Sequence, residues 1–436
     1  MSAKRVLVVI VAACLILQIP GSAISSAAPD SPTSRLSPEF LISQPTAGSQ
    51  PERYGPAVAY NSLHHEYLVV WKNSRAFGFA ELYAQRISLT GEILGHFDLT
   101  SDLLVDGHPR DEAALAYNAI NDEYLLVYVC EIVDELDYNV RARRIAWNGA
   151  WKGSEFEIFD WANRGFYKPR VAWNSIPSHN RYLVVADAWD TGSNKANDVA
   201  GRVVMADGSM PNAGHNISIQ SQTLQPHWGD VAYNVAANEF LVVWRQNWSG
   251  DDWDIWAARL DGASGAVVTP PAQFSIDTTG PLDQDHPAIA TNSQNRYLVV
   301  WDQALLGSTT DREIYGRELD YHGSPMTVNS FAIAYSTDEE TYPRLAINGK
   351  NNQRMVVWRR KIGLGYAIWQ SGWFPTDPTL PPPFEIAPAS SVWEQPAIAV
   401  GSSGFLTVYE KREGTSFIYG RMHWEYNLYL PYTAKN

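Results

Sequence analysis

Carboxylates, histidines, tyrosines and arginines recur in this 436-residue chain at two kinds of place. One is just before a short apolar segment that usually begins with Pro. There stand Tyr54; Asp111 and Glu112; Tyr167 and Lys168; His227 and Trp228; Asp285 and His286; Glu340 and Tyr342; and Trp393 and Glu394. The other is just after a longer apolar run ending in an aromatic residue, where Lys72, Glu131, Asp187, Arg245, Asp302, Arg359 and Glu410 are found. Two carboxylates facing each other across a groove can serve glycoside hydrolysis, one as acid and one as base or nucleophile. A histidine beside Tyr or Arg can abstract a proton, as in a polysaccharide lyase. Without either geometry, the same residues form a polar rim that can hold a ligand.

Other groups carry less specific signals. His108, His227 and His286 could meet at a metal, but their spacing matches no ligand motif, so no metal is expected. Asp251-Asp-Trp-Asp254 and Asp283-Gln-Asp285 are acidic clusters of a kind calcium uses, yet they lack the glycine and ligand periodicity of a calcium loop. No cofactor is assigned on that basis. Trp189, Trp248 and Trp253 fall in the longest loops beside the rim. Flat indole faces there suit stacking on sugar rings.

The elements that must position these residues come from an internal repeat. Pro56-Ala-Val-Ala-Tyr-Asn61 returns as 113–118, 169–174, 229–234, 287–292, 343–348 and 396–401, giving seven copies 53 to 60 residues apart. A Tyr-Leu-Val-Val-Trp type run follows each copy, as at 67–71, 240–244 and 297–301. A third run ends in Arg at 86, 144, 202, 259, 317 and 421, and a fourth has the form Phe-x-Ile, as at 156–158, 274–276 and 331–333. Each unit is thus four short strands in up-and-down order, the content of one propeller blade. The expected fold is an all-β, seven-bladed β-propeller with four antiparallel strands per blade. Six fourth strands lie between the first and last copies. The seventh is Phe40-Leu-Ile42, ahead of blade one, where it closes the ring and hides two sheet edges.

Repetition also separates scaffold from site, because chemistry needs one copy and architecture needs seven. The recurrent Arg and the Asn ending each first strand are therefore assigned to scaffold. The rim left over gives the candidate ligand-binding set: Asp111, Tyr167, Asp187, His227, Trp228, Arg245, Asp285, His286, Asp302, Tyr342, Arg359 and Glu410.

On this repeat the chain resembles secreted bacterial β-propeller repeat proteins over about residues 38–424. It lacks the Gly-Gly pair of kelch blades, the sialidase Asp box and the calcium loops of integrin-like blades. The resemblance implies a fold, and propellers host binders and enzymes alike.

Residues 1–27 read as a signal peptide. Lys4 and Arg5 precede the apolar run Val6–Ile19, with small residues before cleavage at Ala23 or Ala27, or alternatively lipidation at Cys14. Residues 425–436 are expected as a tail. Without the leader, 31 basic residues face 47 acidic ones, a net charge of −16 that repels phosphate backbones and excludes nucleic acid as a partner. No further stretch is apolar enough to span a bilayer. Cys130 is then the only cysteine, too few for an internal disulfide, and its apolar surroundings suit a small core residue. The expectation is a secreted or cell-surface monomer that recognises a glycan or an extracellular protein. The alternatives are a polysaccharide-active lyase or hydrolase and a structural envelope protein.

Overall fold

The computed structural model describes residues 35–43, 52–74, 80–100, 108–131, 138–193, 195–218, 225–249, 252–269, 271–278, 280, 282–292, 295–304, 311–377, 379–391 and 395–424. All belong to one compact unit, Arg35–Asn436; the segment Met1–Ser34, with the expected signal peptide, and the tail expected over 425–436 lie outside the described residues. Seven antiparallel sheets follow one another along the chain. Blade one runs Glu52–Asn61, Glu66–Ser74, Ala80–Ser88 and Ile93–Asp98. Blades two to six repeat this order from Arg110, Arg164, His227, Gln284 and Glu340, each as a meander of neighbouring strands. Blade seven has Ala397–Val400, Gly404–Glu413 and Thr415–Trp424. The one helical element among the described residues is a single 3-10 turn, Pro177–His179.

The hydrophobic core lies between blades. The second strand of each blade is apolar on both faces because each face meets a different neighbour. In blade one, Tyr67, Val69 and Trp71 join a cluster with Leu406, Val408 and Ile418 of blade seven, while Leu68 and Val70 join Leu126 and Tyr128 of blade two. The same alternation builds the remaining interfaces, as where Val127 and Ala142 meet Tyr182 and Val184. The recurring Ala of the first strand (Ala59, Ala172, Ala232, Ala399) sits in these clusters, where first strands converge.

The scaffold residues behave as repetition implies. Asn61 Oδ1 accepts the N–H of Leu63 at 3.0 Å and of His64 at 2.9 Å, closing the hairpin, and Asn118, Asn174, Asn234, Asn292 and Asn348 do the same. Arg86 forms a bidentate pair with Glu66 at 2.6 and 2.7 Å, and Arg259 forms one with Glu239 at 2.7 and 2.8 Å. Arg202 and Arg421 donate instead to the carbonyls of Ile158 and Ser37.

Phe40 and Leu41 pair antiparallel with Gly420 and Tyr419, supplying blade seven with its fourth strand. A glycine marks this contact in three blades. A Cβ at Gly420 would stand 2.8 Å from Ile42, as one at Gly316 would stand 2.9 Å from Ile333 and one at Gly201 2.5 Å from Ile217. Ile42 therefore occupies the place of the fourth-strand Ile, although it precedes the rest of its blade by more than 350 residues. Arg35–Leu36 adds a further pairing to the same edge.

Candidate functional site

The first strands of blades one to six open with a bulge. The register slips between Tyr54 and Ala57, and at the matching place in blades two to six. The extra residue has a left-handed backbone: Gly55, Glu112, Lys168, Trp228, His286 and Tyr342, with φ between 47° and 59°. Only blade one uses glycine, the residue that adopts this conformation freely. The other five bear side chains there, at a cost of about 1–3 kcal/mol each. The bend lifts the extra residue out of strand alternation and brings five of the six, all but His286, to a central cavity.

A central cavity of about 480 Å³ opens at this end, within the usual range for small-ligand sites. Glu112, Lys168, Trp228 and Tyr342 line it from the bulges, together with Asp111 and Gln395. Deeper in stand Arg170, Asp230 and Arg344, on the strand position that is Ala57, Ala114 and Ala397 in other blades. Lys168 Nζ lies 4.2 Å over the Trp228 ring and 3.5 Å from Glu112 Oε1. Burial works against the Lys168 ammonium, but Glu112 and Asp187 more than offset it and hold its pKa above the ordinary value. The Arg344 guanidinium is held below its ordinary value, first by burial and then by repulsion from Arg170.

The expected rim residues divide in two. Asp111, Trp228 and Tyr342 line the cavity. Most of the others latch one blade to the next or support the bulges. Lys72 pairs with Asp111 and Arg245 with Asp285 across blade boundaries. Asp187 accepts the N–H groups of Trp228 and Gly229; burial raises its carboxyl to about 6 against the pull of Lys168 and these donors. Asp302 accepts the Tyr342 N–H at 3.0 Å and His286 Nδ1 at 2.7 Å. Burial opposes its ionisation, but His286 and Arg312 prevail and bring its pKa to about 2. In blade two the residue facing Asp111 is Val129, so Glu131 stands two positions beyond the latch and pairs with Tyr138. Glu410 is buried in blade seven and accepts from Ser416 Oγ at 2.8 Å. Trp393, Glu394 and the side chain of Trp248 lie outside the described residues.

His286 packs directly against the Tyr that a lyase would set opposite it across a cleft. His286 stacks on Tyr342 with ring centroids 3.7 Å apart, and Arg359 lies 4.0 Å over the same ring. His227 is a poor base: burial, then Arg245, lowers its pKa to about 3. Beyond the cavity, aromatic rings form an arc over blades two to four. Tyr138, Tyr167, Trp189, His227 and Trp253 contact one another in turn at centroid distances of 4.8, 5.7, 6.5 and 5.1 Å, all half-buried. Among the described residues, no group of three or more His, Cys, Asp or Glu is arranged to hold a metal ion. Cys130 is buried within its strand.

Sequence reasoning missed Arg170, Asp230 and Arg344. The signal was present: the second residue of the repeat is Ala in blades one, two, five and seven but Arg, Asp and Arg in blades three, four and six.

No family model matches the chain, and no curated protein does either. Among solved structures, it is similar to a protein of unknown function from Dyadobacter fermentans (TM-score 0.52, 11% identity), which covers 91% of this chain and is itself covered to 99%. It is also similar to a prolyl endopeptidase (TM-score 0.52, 10% identity, 86% of this chain), of which it spans 48%. At this identity the likeness establishes the fold: the chain is a seven-bladed β-propeller.

Proposed function

We propose that the protein is an extracellular recognition module that binds a glycan across the mouth face, over blades two to four and into the central cavity. The observation that carries this reading is the arc of five rings from Tyr138 to Trp253, beside a cavity lined by two further rings, Trp228 and Tyr342. The rings meet one another tilted or edge-on and are half-buried, forming an apolar strip on which the axial-hydrogen patches of sugar units can pack. The leader expected at residues 1–27 supports an extracellular setting, and no helix among the described residues is long and apolar enough to cross a membrane.

Binding is favoured over catalysis because the carboxylates of the mouth already have partners. Asp111 is engaged by Lys72, Glu112 by Lys168, Asp285 by Arg245, and Asp302 by His286 and Arg312. A hydrolase needs one carboxyl protonated and a second facing it across open space.

The test is a glycan array with the mature protein, followed by reducing-end and unsaturated-product assays on the hits. Retention without product is the expected result, and it should be lost in Trp189→Ala and Trp253→Ala. Product formation would convert the module into an enzyme; absence of any glycan binding would overturn the reading.

A further inference from the structure

The polar groups of the cavity are unevenly matched. Glu112 is taken by Lys168, and Asp111 by Lys72, which comes from outside the lining. Asp230 spends both oxygens on backbone donors, Oδ1 on Val231 N and Oδ2 on Ile289 N, each at 3.0 Å. Its contact with Arg170 Nε is 4.0 Å, the outer limit of an ion pair. Arg344 donates to Gln395 Oε1 and to the Pro343 carbonyl, and has no ion-pair partner among the described residues. Two guanidinium groups thus share a low-dielectric space with one distant carboxylate, and each repels the other. Such a pair is out of balance when the cavity holds only water, and one bound oxyanion restores the balance. Guanidinium donors match a carboxylate in both charge and shape. The chain as a whole carries a net charge of −14, so an anion is drawn to this point by the local field and not by the molecule's overall charge.

We propose that the cavity seats an acidic sugar, with its carboxylate held by Arg170 and Arg344 and its ring against Trp228 and Tyr342. The sugar half of this assignment rests on the glycan reading above. The carboxylate half rests on the two arginines alone. A sugar end would enter the axis while the rest of the chain follows the aromatic arc, so the site sets which terminal unit is accepted.

Calorimetric titration of the mature protein tests it, using galacturonate and glucuronate against galactose and glucose, with galactose 6-sulfate as a further arm. At least one uronate should bind ten-fold or more tightly than its neutral counterpart, and the gap should close as salt is raised. Arg344→Gln and Arg170→Gln should each bring uronate and hexose to parity, while Arg344→Lys keeps part of the preference. Melting curves check folding, and the salt dependence of the wild type stands if a variant fails to fold. Equal affinity for uronate and hexose overturns the carboxylate site and leaves the glycan reading intact. So does a preference that survives Arg344→Gln in folded protein. Preference for the sulfate over both uronates overturns the carboxylate assignment in favour of a sulfated sugar. If no saccharide on this panel or on the array binds, both readings fall.

Discussion

The Asp187 carboxylate of blade three accepts the backbone N–H of Trp228 in blade four at 2.9 Å, and the neighbouring Gly229 N–H at 3.0 Å. One side chain thereby satisfies two donors exposed by the bulge and fixes the left-handed turn that aims Trp228 at the cavity. Asp302 does the same for Tyr342 two blades on. Scaffold and site are therefore joined at single residues: the latch that ties neighbouring blades also orients the ligand-facing ring.

Asp187→Asn tests this joint. An amide offers one acceptor oxygen where the carboxylate offered two, and its NH₂ would confront a buried N–H. The expected loss is about 2–3 kcal/mol of stability, with weakened glycan binding even at temperatures where the variant is fully folded. Denaturant unfolding and titration on the same sample separate the two. Unchanged stability would show that the bulge holds its shape without the latch.

The left-handed residues make a sharper contrast. Trp228→Gly and Trp228→Ala both delete the indole, and both should abolish its share of binding. They differ in backbone strain, since glycine tolerates φ near 59° and alanine does not. The glycine variant should be more stable than the alanine variant by about 1 kcal/mol, measured by urea unfolding. The reverse order, expected in an ordinary strand from glycine's entropy cost, would overturn the bulge geometry at this position.

Ring closure predicts a global effect from a terminal change. Ile42 is fully buried in the cluster joining blades seven and one. Ile42→Ala should cost about 2–5 kcal/mol and lower the single melting transition of the whole propeller. A separate early transition, with the main one unmoved, would show that the strand is only a local strap.

The blades, the hairpin asparagines and the closing strand were legible in the sequence because each depends on a pattern repeated many times. The division of the rim was not. Strand alternation assigns neighbours such as Asp111 and Glu112 to opposite faces, but the bulge inserts a residue and resets that alternation. Whether His286 reaches the cavity or stands behind Tyr342 depends on that reset, which leaves no periodic trace. Arg170 and Arg344 lay inside a strand assigned to scaffold. Their departure from the Ala of other blades is the one sign, carried by single residues within a strand whose pattern otherwise repeats.

The last prediction concerns pH. Glu313 of blade five and Glu340 of blade six are both buried and converge on Ser336, which donates its N–H to Glu313 Oε1 at 2.7 Å and its hydroxyl to Glu340 Oε1 at 3.4 Å. Burial raises the Glu313 carboxyl to about 9, and the neighbouring Glu340 adds to the shift, so Glu313 holds a proton at neutral pH that it can donate toward Glu340. Glu340 sits beside Arg360, with 3.8 Å between Oε1 and Nη1, as suits the ionised member. A carboxyl whose pKa is higher folded than unfolded binds more protons in the native state. Its contribution is thus full below about 4.5 and is lost as pH rises through about 9. Asp198 and Asp254, both raised to about 7 by burial, act with the same sign over a lower window. Stability by denaturant titration should therefore fall between pH 5 and pH 9. Glu313→Gln keeps the donor to Glu340 and cannot ionise, so its profile should be flatter and cross that of the wild type, leaving the variant ahead by at least about 1 kcal/mol at pH 9. Parallel profiles would mean that Glu313 is already ionised at neutral pH and that the two carboxylates are held together by Arg360 and not by a shared proton.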